Sequence, residues 1–215
     1  MRQLIWLLLL ITAASAQDPP IPEVDSAPKE QIGGFTVEIP ISHPVTKRVI
    51  FLFDDSESMN SESLSRAIQA TMLILDQPTD ELEVAIWAFN SYLTRWPGVP
   101  DPPDEPNPVR KGWARLPSAI AMESINTWLS NLVAQSNTYV IPALDAALCE
   151  DVDQLTIVLV TDGQFNDPIP STGRPLESII IDVIELMQNA RESRGLEHAA
   201  FVCFGINNGS WMLRS

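Results

Sequence analysis

Two apolar runs constrain this chain more than any other feature. Val49-Ile50-Phe51-Leu52-Phe53 and Leu155-Thr156-Ile157-Val158-Leu159-Val160 are rich in β-formers and do not alternate apolar with polar. A strand with one wet face alternates with period two. Runs like these are therefore predicted to be covered on both faces, as in a parallel sheet wrapped by helices. Each run stops at an acid, the first at Asp54-Asp55 and the second at Thr161-Asp162-Gly163. Parallel strands bring their carboxyl ends to one edge, and ligands bind at that edge in open α/β sheets. Asp54 and Asp162 are expected to meet there.

The segments between the runs carry the matching helical signals. Leu64, Ile68, Met72 and Leu75 recur at three- and four-residue steps, which predicts a helix over about 61–76 with Asn60 or Ser61 as its cap. Leu82 to Phe89 reads as the next strand, and Tyr92 to Trp96 as a short antiparallel return after the Asn90-Ser91 turn. Six prolines between Pro97 and Pro108 exclude helix and interior strand, leaving an exposed loop. Pro117 suits the first turn of a helix to about Val133, with Ile120, Ile125, Trp128, Leu129 and Leu132 inward. A second helix is expected over about 141–149. A third runs over 176–193, with Ile179, Ile180, Val183, Leu186, Met187 and Ala190 inward and Gly195 as its stop. Ala199 to Ile206 reads as the last strand, and SWMLRS as the first turn of an uncompleted helix. Strand–helix alternation of this kind predicts a doubly wound, mostly parallel α/β sheet flanked by helices.

Upstream of the domain the composition changes. Arg2, the apolar stretch Leu4 to Ile11 and the small residues Ala14-Ser15-Ala16 read as an export signal over residues 1–16, cleaved after Ala16, with an uncleaved amino-terminal anchor as the competing reading. Residues 17–46 read as a Pro-rich acidic linker. Phe35 to Ile41 alternates within it as a short strand, which Pro40 and Pro44 would confine to a sheet edge. The folded domain is expected over 47–215. No later segment holds 18 uninterrupted apolar residues, so no membrane span is expected once the signal is removed. This places the protein in the periplasm, at the cell surface or in the medium. The net charge of −15, with Lys47-Arg48 and Arg110-Lys111 as isolated basic pairs, argues against nucleic acid and anionic lipid as partners. Cys149 and Cys203 lie in apolar surroundings and read as buried free thiols. His43 and His198 have no spaced partner and read as structural. Trp87 and Trp128 read as core, whereas Trp96, Trp113 and Trp211, near loops, are candidates for a contact surface.

Asp54-x-Ser56-x-Ser58 sets hard oxygen donors one residue apart just past a strand end, and Asp162 adds a second carboxylate. Two carboxylates with hydroxyls suit Mg²⁺ or Mn²⁺. The simpler reading of the same residues is local: Ser56 and Ser58 as helix caps, Asp54 as an acceptor for backbone amides, and Asp162-Gly163 as a turn. Together, Asp54-x-Ser56-x-Ser58-Met59, Ser136-Asn137-Thr138 and Val160-Thr161-Asp162-Gly163 resemble a von Willebrand factor A-type (vWA) domain. The resemblance covers roughly residues 47–215. It implies a vWA/Rossmann-like fold and a metal-ion-dependent adhesion site. On it, Asp54, Ser56, Ser58, Thr138 and Asp162 would be the ligands, some direct and some through water. One coordination position would stay open for an Asp or Glu of a protein partner. Asp55 and Glu57 depart from the pattern, because acids stand where the family is usually uncharged or small.

The expected function is thus a non-enzymatic binding module acting through a divalent cation. A scaffold or assembly factor of an envelope complex uses the same residues. A Mg²⁺-dependent phosphoryl-transfer hydrolase is the enzymatic alternative, with Asp54-Asp55 as nucleophile and metal ligand. It lacks a well-placed Lys or Arg, a Gly-rich phosphate loop and a Gly-x-Ser-x-Gly elbow.

Overall fold

A computed structural model describes residues 7–9, 29–32, 35–38, 48–76, 82–99, 110–167 and 174–205. The cleavage site, His43, most of the Pro-rich loop and Trp211 lie outside them. The strands are β1 (Leu7–Leu9), β2 (Lys29–Ile32), β3 (Phe35–Glu38), β4 (Arg48–Asp54), β5 (Leu82–Phe89), β6 (Leu93–Arg95), β7 (Ala114–Leu116), β8 (Leu155–Thr161) and β9 (Ala200–Gly205). The helices are α1 (Asn60–Leu75), α2 (Ala119–Ser130), α3 (Val140–Leu148) and α4 (Leu176–Ser193). The main sheet runs β1-β9-β8-β4-β5-β6, with β7 also on β5. Neighbours from β1 to β5 are parallel, and β6 and β7 are antiparallel to β5. This is the doubly wound, mostly parallel sheet that the apolar runs predict.

The buried strands work as expected. Phe51 and Phe53 pack into one apolar cluster with Met59, Ile86, Ile125 and Leu129. Ile50 and Leu52 turn to the other face and join Trp87, Val140, Leu144 and Ile157. Each such side chain contributes roughly 1.5–3 kcal/mol when removed from water. Because β4 is buried on both faces along its length, a register slip would disturb both clusters at once.

Several expectations need correction. β7 was not expected; it pairs with β5 beside the start of that strand, while β6 pairs beside its end. α2 begins two residues after Pro117, where the Ser118 hydroxyl accepts the Ala121 N–H at 3.3 Å. That cap sets the helical phase so that Ala121, Ile125 and Leu129 face the core, and Ile120 is left 74% exposed. On α4, Leu186 is exposed, and Ile184, Gln188 and Arg191 are buried instead. Lys29–Ile32, read as linker, pairs antiparallel with Phe35–Glu38 in a separate two-stranded sheet, so β3 is not an edge of the main one. Leu7–Leu9, within the predicted signal, pairs in parallel with β9.

Trp96 and Trp113 are buried rather than exposed at a contact surface. The Trp96 backbone N–H donates to Ile86 O at 2.8 Å and its indole N–H to Ser124 Oγ at 3.2 Å, so its polar end is satisfied inside. Both described cysteines are free, but Cys149 is exposed at the end of α3. The Cys203 thiol is pushed up to about 11 by burial.

Candidate functional site

Three loops converge at the carboxyl edge of β4 and β8. The first leaves β4 at Asp54 and passes through a 3-10 turn, Glu57–Met59, into α1. Asn60, at φ +38°, accepts the Glu62 and Ser63 N–H groups on its Oδ1, both at 3.0 Å. Capping of α1 thus falls to Asn60, while Ser56 makes no side-chain cap to the 3-10 turn and stays free for other contacts. The second loop joins α2 to α3 and carries Thr138. The third leaves β8 at Thr161 and carries Asp162 to Asp167.

The structure brings four of the five predicted donors into one hydrogen-bonded chain. Ser56 N–H donates to Asp54 Oδ1 at 3.0 Å. The Ser56 and Ser58 hydroxyls lie 3.0 Å apart, and Ser58 Oγ donates to Asp162 Oδ1 at 3.3 Å. Thr138, buried, sits on the adjoining loop. Gln135 N–H on that loop donates to Asp55 O at 2.8 Å, and Ser136 O accepts Glu57 N–H at 3.1 Å. The local readings are present as well: Asp54 accepts a backbone amide, and Asp162 accepts Gln164 N–H at 3.0 Å in a turn that Gly163 continues at φ +80°.

Electrostatics at this edge are unbalanced. Asp54 is fully buried, and burial pushes its carboxyl up to about 6, with Asp162 raising it further against the lowering hydrogen bonds from Ser56 and Thr161. Asp55 also rises to about 6, through burial and then the charge of Asp54. Its Oδ1 is buried with no hydrogen-bond partner among the described residues. None of the ion pairs among the described residues involves Asp54, Asp55 or Asp162. Among those residues no three His, Cys, Asp or Glu side chains form a metal-holding group. The expected donor set has two carboxylates and three hydroxyls, so hydroxyl oxygens would have to complete what carboxylates alone do not. Hard oxygens around unneutralised acids fit a small divalent cation.

Several residues that shape the site carry no mark in the linear sequence. Thr161 Oγ1 donates to Asp54 Oδ2 at 2.6 Å and accepts Gly163 N–H at 3.0 Å, tying the two strand ends together. Asn166 and Asp167 reach back to the Thr138 loop. The bond from Thr161 to Asp54 spans 107 residues and those of Asn166 and Asp167 span 26–28, so none had a local signal.

A cleft of about 560 Å³ lies elsewhere, at the far end of α3 from Thr138. It gathers Arg95, Arg110 and Lys111, which the sequence leaves scattered, but sets them against Asp145, Glu150 and Asp151. Glu150 pairs with Arg95 at 3.3 Å and Arg110 at 3.6 Å, and Arg95 stacks 4.0 Å over Trp87. With its charges balanced, the cleft does not offer the basic surface that phosphate backbones need.

No family model and no curated protein matches this chain. Solved structures do. A von Willebrand factor type A structure from Catenulispora acidiphila superposes with a TM-score of 0.53 at 16% identity, over 79% of this chain and 34% of the other. Proximal thread matrix protein 1 from the mussel byssus gives 0.51 at 16% identity, over 77% and 39%. The chain therefore spans between a third and two fifths of the length of these structures. At such identities the likeness concerns architecture: the sheet order, the helices on both faces and the carboxyl-edge loops form a vWA-like fold.

Proposed function

We propose that this domain is a non-enzymatic binding module that holds Mg²⁺ or Mn²⁺ at Asp54, Ser56, Ser58, Thr138 and Asp162 and engages a protein partner through an Asp or Glu of that partner. The observation that carries it is the hydrogen-bonded chain Asp54–Ser56–Ser58–Asp162, with both acids lacking a cationic partner among the described residues. A bound cation would supply positive charge where burial now opposes the charge of Asp54, and would attract an incoming carboxylate. Three of the five donors are neutral hydroxyls, which leaves the ion positive enough to do so. Thr161 holds Asp54 by its Oδ2, and the hydroxyl pair orients Asp162. Among the described residues no Lys or Arg pairs with these acids. The leader-like residues 1–16 support action outside the cytoplasm. Among the described residues, no helix is long and apolar enough to cross a membrane.

Calorimetric titration of chelator-treated protein with MnCl₂ and MgCl₂ tests the reading. Binding heat and a raised thermal midpoint are expected, and both are expected to vanish in Asp54→Ala. Absence of heat and of any midpoint shift in the unsubstituted protein would overturn it. Partner capture that a chelator abolishes would then establish the second half.

A further inference from the structure

The loop that carries Thr138 is held by contacts from other loops, among them Tyr139 N–H to Asn90 O at 3.1 Å. It approaches α3, whose first residue follows Tyr139, and Tyr139 makes no side-chain cap. The preceding Ser136 sits at φ +67°, a region that non-glycine residues occupy only when surrounding contacts hold them there. Ser136 is held by the β4–α1 loop and the β5 end, through Glu57 N–H to its carbonyl at 3.1 Å and a 2.9 Å contact between its hydroxyl and that of Ser91, whereas Thr138 and the start of α3 are held by the loop that leaves Asp162. Thr138 N–H donates to Asn166 Oδ1 at 3.1 Å, and Asn166 N–H donates back to Thr138 O at 2.7 Å. Asp167, buried, accepts Val140 N–H on Oδ2 at 2.9 Å and Ile141 N–H on Oδ1 at 3.0 Å. Its carboxylate thus caps α3 from 26–27 residues away, where a negative charge is favoured by the helix dipole.

We infer that Asn166 and Asp167 are positioning residues for the cation site. The Asp162 loop contributes one donor and, through these two side chains, fixes the placement of another, Thr138. This rests on the proposed cation site. Asn166 holds the Thr138 backbone on both sides, by its side chain at the N–H and by its own N–H at the carbonyl, so the Cα that carries the hydroxyl cannot move without breaking two hydrogen bonds. Asp167 fixes the first turn of α3, which sets the direction in which Thr138 leaves the helix. Entry of a cation between Asp162 and Thr138 therefore acts on two loops that are already joined.

The test uses Asn166→Ala, Asp167→Ala, Thr138→Ala, the combined Thr138→Ala/Asn166→Ala, and the conservative Asn166→Asp and Asp167→Asn. Mn²⁺ affinity is measured by titration, and backbone amide exchange is followed at Thr138, Val140 and Ile141 in metal-free protein. Supporting contacts of this kind change metal affinity by about 10- to 100-fold. A loss of about tenfold is expected for Asn166→Ala and Asp167→Ala, with faster exchange at Thr138 and at Val140/Ile141 respectively. Asn166→Asp keeps the acceptor oxygen and is expected to stay near the unsubstituted affinity. The combined variant is expected to lose no more than Thr138→Ala alone, because Asn166 acts through Thr138; a purely structural role would not produce that non-additivity. Additive losses, or unchanged exchange at Thr138 in Asn166→Ala, would overturn the inference. If Asp167→Ala does not fold, Asn166, whose side chain is exposed, carries the test. If the unsubstituted protein takes up no Mn²⁺, the proposed function fails. The exchange data then decide positioning alone, with faster exchange sustaining it and unchanged exchange ending it.

Discussion

Two ends of the sheet bury charge in opposite ways. At the amino end of β8, Arg191 on α4 has 0% exposure and every contact it needs. Its guanidinium donates to Leu148 O (3.2 Å), Glu150 O (2.8 Å) and Val152 O (2.6 Å) at and beyond the end of α3, and to Glu197 O (3.1 Å) in the loop after α4. Gln188 beside it exchanges two hydrogen bonds with Ala199, at 2.7 and 2.9 Å. At the carboxyl end of β4, Asp54 and Asp55 are as deeply placed, yet they repel one another and one oxygen of Asp55 has no partner. A buried charge with its hydrogen bonds complete is part of the scaffold. One left incomplete destabilises the folded state until something binds it, and that is the mark of the candidate site.

The comparison breaks most readily at Arg191. Arg191→Met keeps much of the side-chain volume, removes the guanidinium from four carbonyls and leaves Leu148 O with only the 3.4 Å contact from Arg194. Chemical denaturation should show a loss of about 3–5 kcal/mol, with the Mn²⁺ affinity of the folded fraction unchanged. A loss below about 1 kcal/mol would mean that water replaces the guanidinium and that the two ends are less different than the contacts indicate.

At the other end the sign is reversed. The carboxyls of Asp54 and Asp55 titrate near 6 in the folded state, against about 3.9 when unfolded. Between those values the folded state binds more protons than the unfolded one. The metal-free domain should therefore be most stable below about pH 4 with respect to these groups, and lose that stability as pH rises through about 6. Asp55→Asn should flatten the decline and raise stability at pH 7 by about 1–2 kcal/mol, read from denaturation midpoints across pH. An unchanged pH profile would show that the orphaned oxygen is not strained.

Exposed charge supplies the baseline. Arg66 pairs with Glu62 one turn earlier on α1, in solvent. Glu62→Ala should shift stability by only about 0.3–0.5 kcal/mol and lose even that in high salt. A larger effect there would mean that burial is not what separates the other two cases.

Much of the architecture was legible because burial on both faces leaves a compositional trace. β5 and α4 fall where their patterns place them, and β4 and β8 differ from expectation by one residue each at the acidic end. That Asp54, Ser56, Ser58 and Asp162 lie together at one edge was legible for a related reason, because each follows or ends a doubly buried strand and parallel strands end on the same side. Residues whose role depends on a distant partner were not legible. Apolar periodicity on α4 put Leu186 inward, because a sequence pattern counts Arg191 as a surface residue, and only the carbonyls of the α3 end make its burial tolerable. Trp96 and Trp113 read as exposed for lying near loops; Trp96 is buried in the cluster of β5 and α2, and Trp113 in that of β5 and α3.

What the sequence determined by itself is the α/β alternation, the two doubly covered strands and the meeting of their acidic ends, since these follow from local periodicity and the common direction of parallel strands. The tertiary structure alone decided that Thr161 holds Asp54, that Asn166 and Asp167 reach across to Thr138 and α3, and that Asp55 is left with an unpaired oxygen. Hydrogen bonds between residues 26 or more positions apart depend on how loops land on one another. No window of sequence short enough to carry a periodic signal contains both ends of such a bond.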